Sequence, residues 1–112
     1  MAAAFAVYHE MGSGFLEEVY HESLEMELSD RNLSFVSRPR LDLMYKGRPL
    51  MRKYEPDLIV EDGIVVELKA VKSLAPEHEA QLLNYLHATR MKVGYVVNFG
   101  SYPKLEWKRF VL

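Results

Sequence analysis

Pro56-Asp57-Leu58-Ile59-Val60-Glu61-Asp62-Gly63-Ile64-Val65-Val66-Glu67-Leu68-Lys69 is the stretch on which the fold turns. Two apolar runs flank a short polar turn, the pattern of a β-hairpin. Ile64, Val65, Val66 and Leu68 form a nearly continuous apolar run, as expected of a central strand covered on both faces. Set into these runs are Asp57, Glu67 and Lys69, charged groups that are costly inside covered strands unless paired or metal-bound. Glu67 and Lys69 are two apart and so project from one face, while Leu68 packs on the other.

The hairpin register decides whether Asp57 joins them. A two-residue Asp62-Gly63 loop pairs Glu61 with Ile64 and sets Asp57 opposite Leu68, on the wrong face. A three-residue loop, Glu61-Asp62-Gly63, pairs Val60 with Ile64. It sets Asp57 directly opposite Glu67 on the same face, with Cβ atoms roughly 5 Å apart. Gly63 is then expected in the left-handed conformation that such loops ask of a glycine. Two carboxylates that close repel unless a cation lies between them. A hard divalent ion such as Mg²⁺ suits oxygen ligands, and a nearby lysine can orient an attacking water or steady charge on a phosphate. The competing reading of the same residues is a buried Lys69–Glu67 ion pair with Asp57 at a strand edge.

Outward from the hairpin, the chain divides into helical and extended stretches. Met1–Met11 is Ala-rich and reads as a short helix ending at Gly12-Ser13-Gly14, a breaker cluster. A second helix is expected from about Phe15 to Asp30, with Leu16, Val19, Tyr20, Leu24 and Leu28 as its apolar stripe. Glu17 and Glu18 in its first turn suit the positive end of the helix dipole. Phe35, Leu41, Leu43 and Tyr45 suggest one strand, ending at the turn signal Lys46-Gly47-Arg48-Pro49. Leu50–Val60 carries the next strand and Ile64–Val71 another. Pro76 opens a helix running to about Thr89, at a position where its missing N–H costs little. Val93–Phe99 and Trp107–Leu112 complete the chain, giving the order α-α-β-β-β-α-β-β. The expectation is an α/β fold, a central mixed β-sheet flanked by helices, in a single domain over residues 1–112.

The chain of 112 residues is 49% apolar and 27% charged, a globular mix that argues against disorder. It has no cysteine, which excludes disulfides, thiolate metal sites and a cysteine nucleophile. No apolar run approaches the roughly 20 residues of a membrane helix, and Met1-Ala-Ala-Ala-Phe5 lacks the basic start of a signal peptide. These features favour the cytoplasm and no membrane partner. The net charge of −2 hides an asymmetry: residues 1–30 hold seven acids and no Lys or Arg, whereas residues 31–53 hold seven Lys or Arg and only Asp42. The basic stretch is either a solvated face, a partner for the acidic helix, or a phosphate-binding surface. His9, His21, His78 and His87 have no zinc-ligand spacing. Trp107, Phe99 and Phe110 read as core rather than as base-stacking platforms.

Pro56-Asp57, nine intervening residues, then Glu67-Leu68-Lys69 resembles the PD-(D/E)xK nuclease signature. Gln81-Leu-Leu-Asn-Tyr85 is similar to the QxxxY motif of that superfamily's exonuclease branch; Gln81 and Tyr85 share one helical face, with His78 three residues before Gln81. Gly14-Phe-Leu-Glu17-Glu-Val-Tyr20 resembles the motif of the GxxExxY proteins, a bacterial and archaeal family in the same superfamily, and the likeness runs from Tyr8 to Leu112. The resemblance implies a PD-(D/E)xK nuclease-like (restriction-endonuclease-like) core and Mg²⁺- or Mn²⁺-dependent hydrolysis of phosphodiester bonds in DNA or RNA. It implies Asp57 and Glu67 as metal carboxylates, the Leu68 carbonyl as a backbone ligand, and Lys69 as the water-activating or phosphate-facing lysine. Glu17 would join the metal shell directly or through water, and Gln81 and Tyr85 would position the substrate or Lys69. Read from the residues alone, Glu17 is a dipole-satisfying acid, Tyr20 a core residue, Gln81 a cap for a neighbouring strand and Tyr85 a half-buried packing residue. The alternative functions are a catalytically silent nucleic-acid-binding module and a homodimeric interaction module on the same fold.

Overall fold

The computed structural model describes residues 1–112. Its elements are α1 (Ala2–Met11), α2 (Glu17–Asp30), β1 (Phe35–Ser37), β2 (Leu41–Tyr45), β3 (Arg48–Tyr54), β4 (Leu58–Val60), β5 (Ile64–Lys69), α3 (Pro76–Thr89), β6 (Val93–Asn98) and β7 (Glu106–Val111). Five strands form one mixed sheet in the order β1-β4-β5-β6-β7, and β2 and β3 form a separate two-stranded sheet. Only β5 and β6 are parallel, and α3 is the crossover that such a pair requires.

The two long extended stretches expected from the alternation are each broken by a proline. The first splits at Arg38 (φ 48°)-Pro39 into β1 and β2. The second splits at Glu55-Pro56 into β3 and β4. Proline offers no N–H to a ladder, and at both breaks the chain passes between the main sheet and the hairpin. The order is therefore α-α-β-β-β-β-β-α-β-β.

Alternation along β5 sorts the core into two layers. Val66 and Leu68 join Leu58, Val97 and Phe99 beneath Tyr20, Leu24 and Leu28 of α2 and Ala3, Ala4 and Val7 of α1. Val65 and Val96 face the other way, against Leu82 and Leu86 of α3 and Tyr54 at the end of β3. Leu41 and Leu43 pack against this second layer, so the base of the hairpin is fixed beside α3. No helix is long and apolar enough to cross a membrane.

Candidate active site

β4 and β5 pair Val60 with Ile64, Ile59 with Val65 and Leu58 with Val66. This is the three-residue loop, and one further step sets Asp57 opposite Glu67. The loop differs from expectation in its backbone: Glu61 (φ 52°) and Asp62 (φ 63°) take the left-handed conformation, and Gly63 does not. An aspartate tolerates that region better than most residues because its short side chain bonds locally. Glu61 is held by Ser34 Oγ, which donates to its Oε2 at 2.7 Å, and by its own N–H, which donates to Ser34 O at 2.9 Å.

The ladder ends at Leu58 and side chains continue it. The Asp57 N–H donates to Glu67 Oε1 at 3.1 Å, and the Leu68 N–H donates to Asp57 Oδ2 at 2.7 Å. Lys69 O accepts from Phe99 N on the β6 side. Alternation therefore turns the Leu68 N–H and carbonyl to the β4 side, where Asp57 lies. Glu67 and Lys69 share the α3 face with Val65. Lys69 makes no ion pair, so the buried Lys69–Glu67 pair does not form.

Tyr54 completes the cluster, and sequence reasoning missed it. Its hydroxyl donates to Glu67 Oε2 at 2.7 Å. Its ring stacks on Tyr85, with centroids 4.0 Å apart and planes 6° from parallel. The available signal was the aromatic at the end of a strand, three residues before Asp57: a buried phenol must find a polar partner. The Glu67 carboxyl is raised to about 7, with burial the largest of several causes. The Tyr54 hydrogen bond pulls it back, the Asp57 charge pushes it up further, and the Asp57 N–H and the Lys69 charge pull it down. Burial also raises the Tyr54 phenol, and the Glu67 charge adds to that.

The remaining expected residues are distributed unevenly. Tyr85 reaches the site through its stack on Tyr54. Gln81, one turn earlier on α3, is exposed and makes no side-chain hydrogen bond. His78 instead caps its own helix, its Nδ1 accepting from Ala75 N at 3.1 Å. Glu17 stands exposed in the first turn of α2, the helix that packs across the sheet from Glu67. No three His, Asp or Glu side chains gather into a group that could hold a metal ion. Tyr20 is core: it stacks on Phe99 at 4.6 Å, and its hydroxyl donates to Gly12 O at 2.5 Å. Phe99 is buried as expected, whereas Trp107 is 39% exposed and meets Phe5 in a T-shaped contact.

Behind Lys69 the backbone is braced. Buried Asn98 Oδ1 accepts from Val71 N at 2.9 Å and Gly100 N at 3.1 Å, and its Nδ2 donates to Glu106 Oε1 at 2.9 Å. Glu106 also accepts from Leu74 N at 2.8 Å. Gly100 lies so close to this segment that a Cβ there would come within 2.4 Å of Val71 O.

A mixed sheet between two helical layers, with an Asp, a Glu and a Lys at the β4–β5 junction, defines a nuclease-type α/β core. The model of the PD-(D/E)XK nuclease superfamily matches residues 1–110, and the chain belongs to that superfamily. The crystal structure of SSO0001 is similar in fold, with a TM-score of 0.63 and 20% sequence identity over 84% of this chain. The chain spans about half of that structure, 50% of its length. No curated protein matches the chain.

Proposed function

We propose that the chain is a nuclease that hydrolyses phosphodiester bonds in DNA or RNA with a divalent ion, Mg²⁺ or Mn²⁺. The observation that carries this reading is the crossed hydrogen bonding of the two carboxylates, Glu67 accepting from the Asp57 N–H and Asp57 from the Leu68 N–H, with Lys69 on the same face and free of any ion pair. The donor set fits such an ion: two carboxylates and the Leu68 carbonyl are hard oxygen ligands, and Mg²⁺ commonly takes one or two carboxylates and keeps its waters. When bound, the ion supplies Lewis-acid polarisation of a phosphoryl oxygen and a nucleophile at neutral pH. Lys69 carries the positive charge that steadies the phosphate as negative charge builds on it. Tyr54 holds Glu67 in place, and Tyr85 holds Tyr54. Glu17 is outside the direct ligand set, and its charge complements the positive end of α2.

One observation favours a second reading, a silent nucleic-acid-binding module: both Glu67 oxygens already accept hydrogen bonds from the protein. A cleavage assay separates the two. Labelled single-stranded DNA, duplex DNA and RNA are incubated with Mg²⁺ or Mn²⁺ and wild type, Lys69→Ala or Glu67→Gln. The nuclease reading expects metal-dependent cleavage that falls by about 100-fold or more in Lys69→Ala, the usual loss on removing one charge-stabilising group. Cleavage equal in wild type and Lys69→Ala would assign the activity to a contaminant, and binding without cleavage would select the silent module.

A further inference from the structure

The β2–β3 hairpin stands outside the main sheet, and every residue from Arg48 to Lys53 is exposed. Its register breaks in the middle: Met44 pairs with Pro49 and Asp42 with Lys53, so Leu50, Met51 and Arg52 oppose Leu43 alone. Such a bulge leaves residues unpaired and turns the strand. Met51 is 98% exposed, Tyr45 53% and Leu50 44%. Among the hairpin's cations, Arg40 pairs with Glu55 and Lys53 with Asp42. Lys46, Arg48 and Arg52 have no ion-pair partner, and Lys46 Nζ lies 5.4 Å from the Tyr45 ring centre. Exposed cations interleaved with exposed aromatic and apolar side chains thus project from an arm whose base is Tyr54, the residue hydrogen-bonded to Glu67.

We propose that this hairpin is the arm that binds an extended single strand of nucleic acid and leads it to the Asp57–Glu67–Lys69 site. The inference rests on the nuclease reading for its direction and on the hairpin for its chemistry. Phosphates lie on Lys46, Arg48 and Arg52, and unstacked bases lie against Tyr45 and Met51. At about 3.3 Å per residue, Arg52 is within ~7 Å of Tyr54 along the strand and Arg48 within ~20 Å. The arm therefore contacts several nucleotides beyond the scissile one. A duplex keeps its bases stacked inside and offers Tyr45 and Met51 nothing to cover. A second copy is less well matched. Of the six acids on the helix that would attract the arm, Glu18 is already paired with Arg38, Glu27 with Arg31 and Glu25 with His21 and Ser37, which leaves Glu17, Glu22 and Asp30 for a second copy.

The test measures binding without cleavage, in EDTA, by anisotropy of a fluorescein-labelled oligodeoxythymidine of about 20 nucleotides. Wild type is compared with the triple variant Lys46→Gln/Arg48→Gln/Arg52→Gln. A charge-matched control, Arg90→Gln/Lys92→Gln/Lys104→Gln, lies outside the hairpin. Counterion release contributes about 0.7 to the salt slope per phosphate of a single strand. The hairpin triple should therefore lower the slope of log K against log salt by about 2, and weaken binding on the order of 100-fold near 0.1 M salt. Tyr45→Ala should weaken binding roughly 10-fold with the slope unchanged, as expected for a lost stacking contact. All these positions are exposed, so the variants should melt with wild type.

A slope unchanged in the hairpin triple, or an equal fall in the control, overturns the inference, as does tighter binding of a duplex of the same length. So does a change of sedimentation mass in the hairpin triple, which would make the arm an interface between copies. If wild type cuts but the hairpin triple binds normally, the arm falls and the nuclease reading stands. If wild type binds through the hairpin without cutting, the arm stands and catalysis falls. If wild type neither binds nor cuts, both fall.

Discussion

Replacing Glu67 with glutamine removes a titration that the fold makes expensive. The Glu67 carboxyl is raised from an ordinary value of 4.5 to about 7, chiefly by burial. Between those two values the folded chain holds a proton that the unfolded chain has released. Native protein then binds more protons than unfolded protein, so stability is full below about 4.5 and falls as pH rises through the window to about 7. At 1.36 kcal/mol per pH unit, the whole fall is on the order of 3 kcal/mol. Glutamine at 67 has no such window and keeps the same contacts: its carbonyl accepts from the Asp57 N–H, and its amide donates to the Tyr54 oxygen. Urea denaturation of wild type and Glu67→Gln in EDTA, from pH 4.5 to 8.5, isolates the effect, because every other titration is common to both proteins. The variant should gain on wild type by ~3 kcal/mol across the range, on the order of 10 °C in Tm for a domain this size. Stability curves that stay parallel within about 0.5 kcal/mol would refute the account of Glu67 as a buried, repelled carboxylate.

Millimolar Mg²⁺ or Mn²⁺ should raise the wild-type Tm at pH 8, by about 1.4 kcal/mol of stability at roughly tenfold over Kd, with a smaller rise in Glu67→Gln. Equal responses in a thermal scan would mean nonspecific ion effects. Tyr54→Phe should cost about 1.5–3 kcal/mol at pH 8, where its hydroxyl meets a charged carboxylate, and about 1 kcal/mol below pH 5. The same variant should push the Glu67 titration further above its wild-type value, measured by carboxyl-resolved NMR. Gly100→Ala should destabilise by about 1–3 kcal/mol in urea, because its Cβ would meet the Val71 backbone rather than a side chain that can move.

Helix α3 was legible to the residue, since Pro76 fixes its start and a helical period runs unbroken to Thr89. The β4–β5 register was legible because only one loop length puts all three charges on one face. The strand boundaries were less so. A period of two says that a residue faces in or out, and not which sheet it belongs to. Phe35 and Leu41 thus read as one strand although Arg38-Pro39 divides them between sheets. Pro39 and Pro56 carried the missing signal. At the site, spacing placed Asp57, Glu67 and Lys69, which depend on one hairpin. It could not weigh Glu17, Gln81 and Tyr85, whose helices dock through long-range packing, and it gave no reason to pick Tyr54 from seven tyrosines.

The hydrogen bonds between β4 and β5 explain how two acids come to lie side by side in a half-buried position. Backbone pairing stops at Leu58 and Val66, just after Pro56 has brought the chain in from the hairpin. At the next step the N–H groups of Asp57 and Leu68 have no ladder partner, and the two carboxylates accept from them. An N–H left unpaired there costs about 1–3 kcal/mol, and bonds to charged acceptors are stronger than neutral ones. Repulsion between Asp57 and Glu67 is therefore offset in part by the strand's own unmet donors. The same bonds aim the carboxylates, because each is tied to the opposite strand rather than to its own. The break in the sheet at Pro56 is thus both what frees the hairpin as an arm and what creates the vacancy in the ladder that the acids fill.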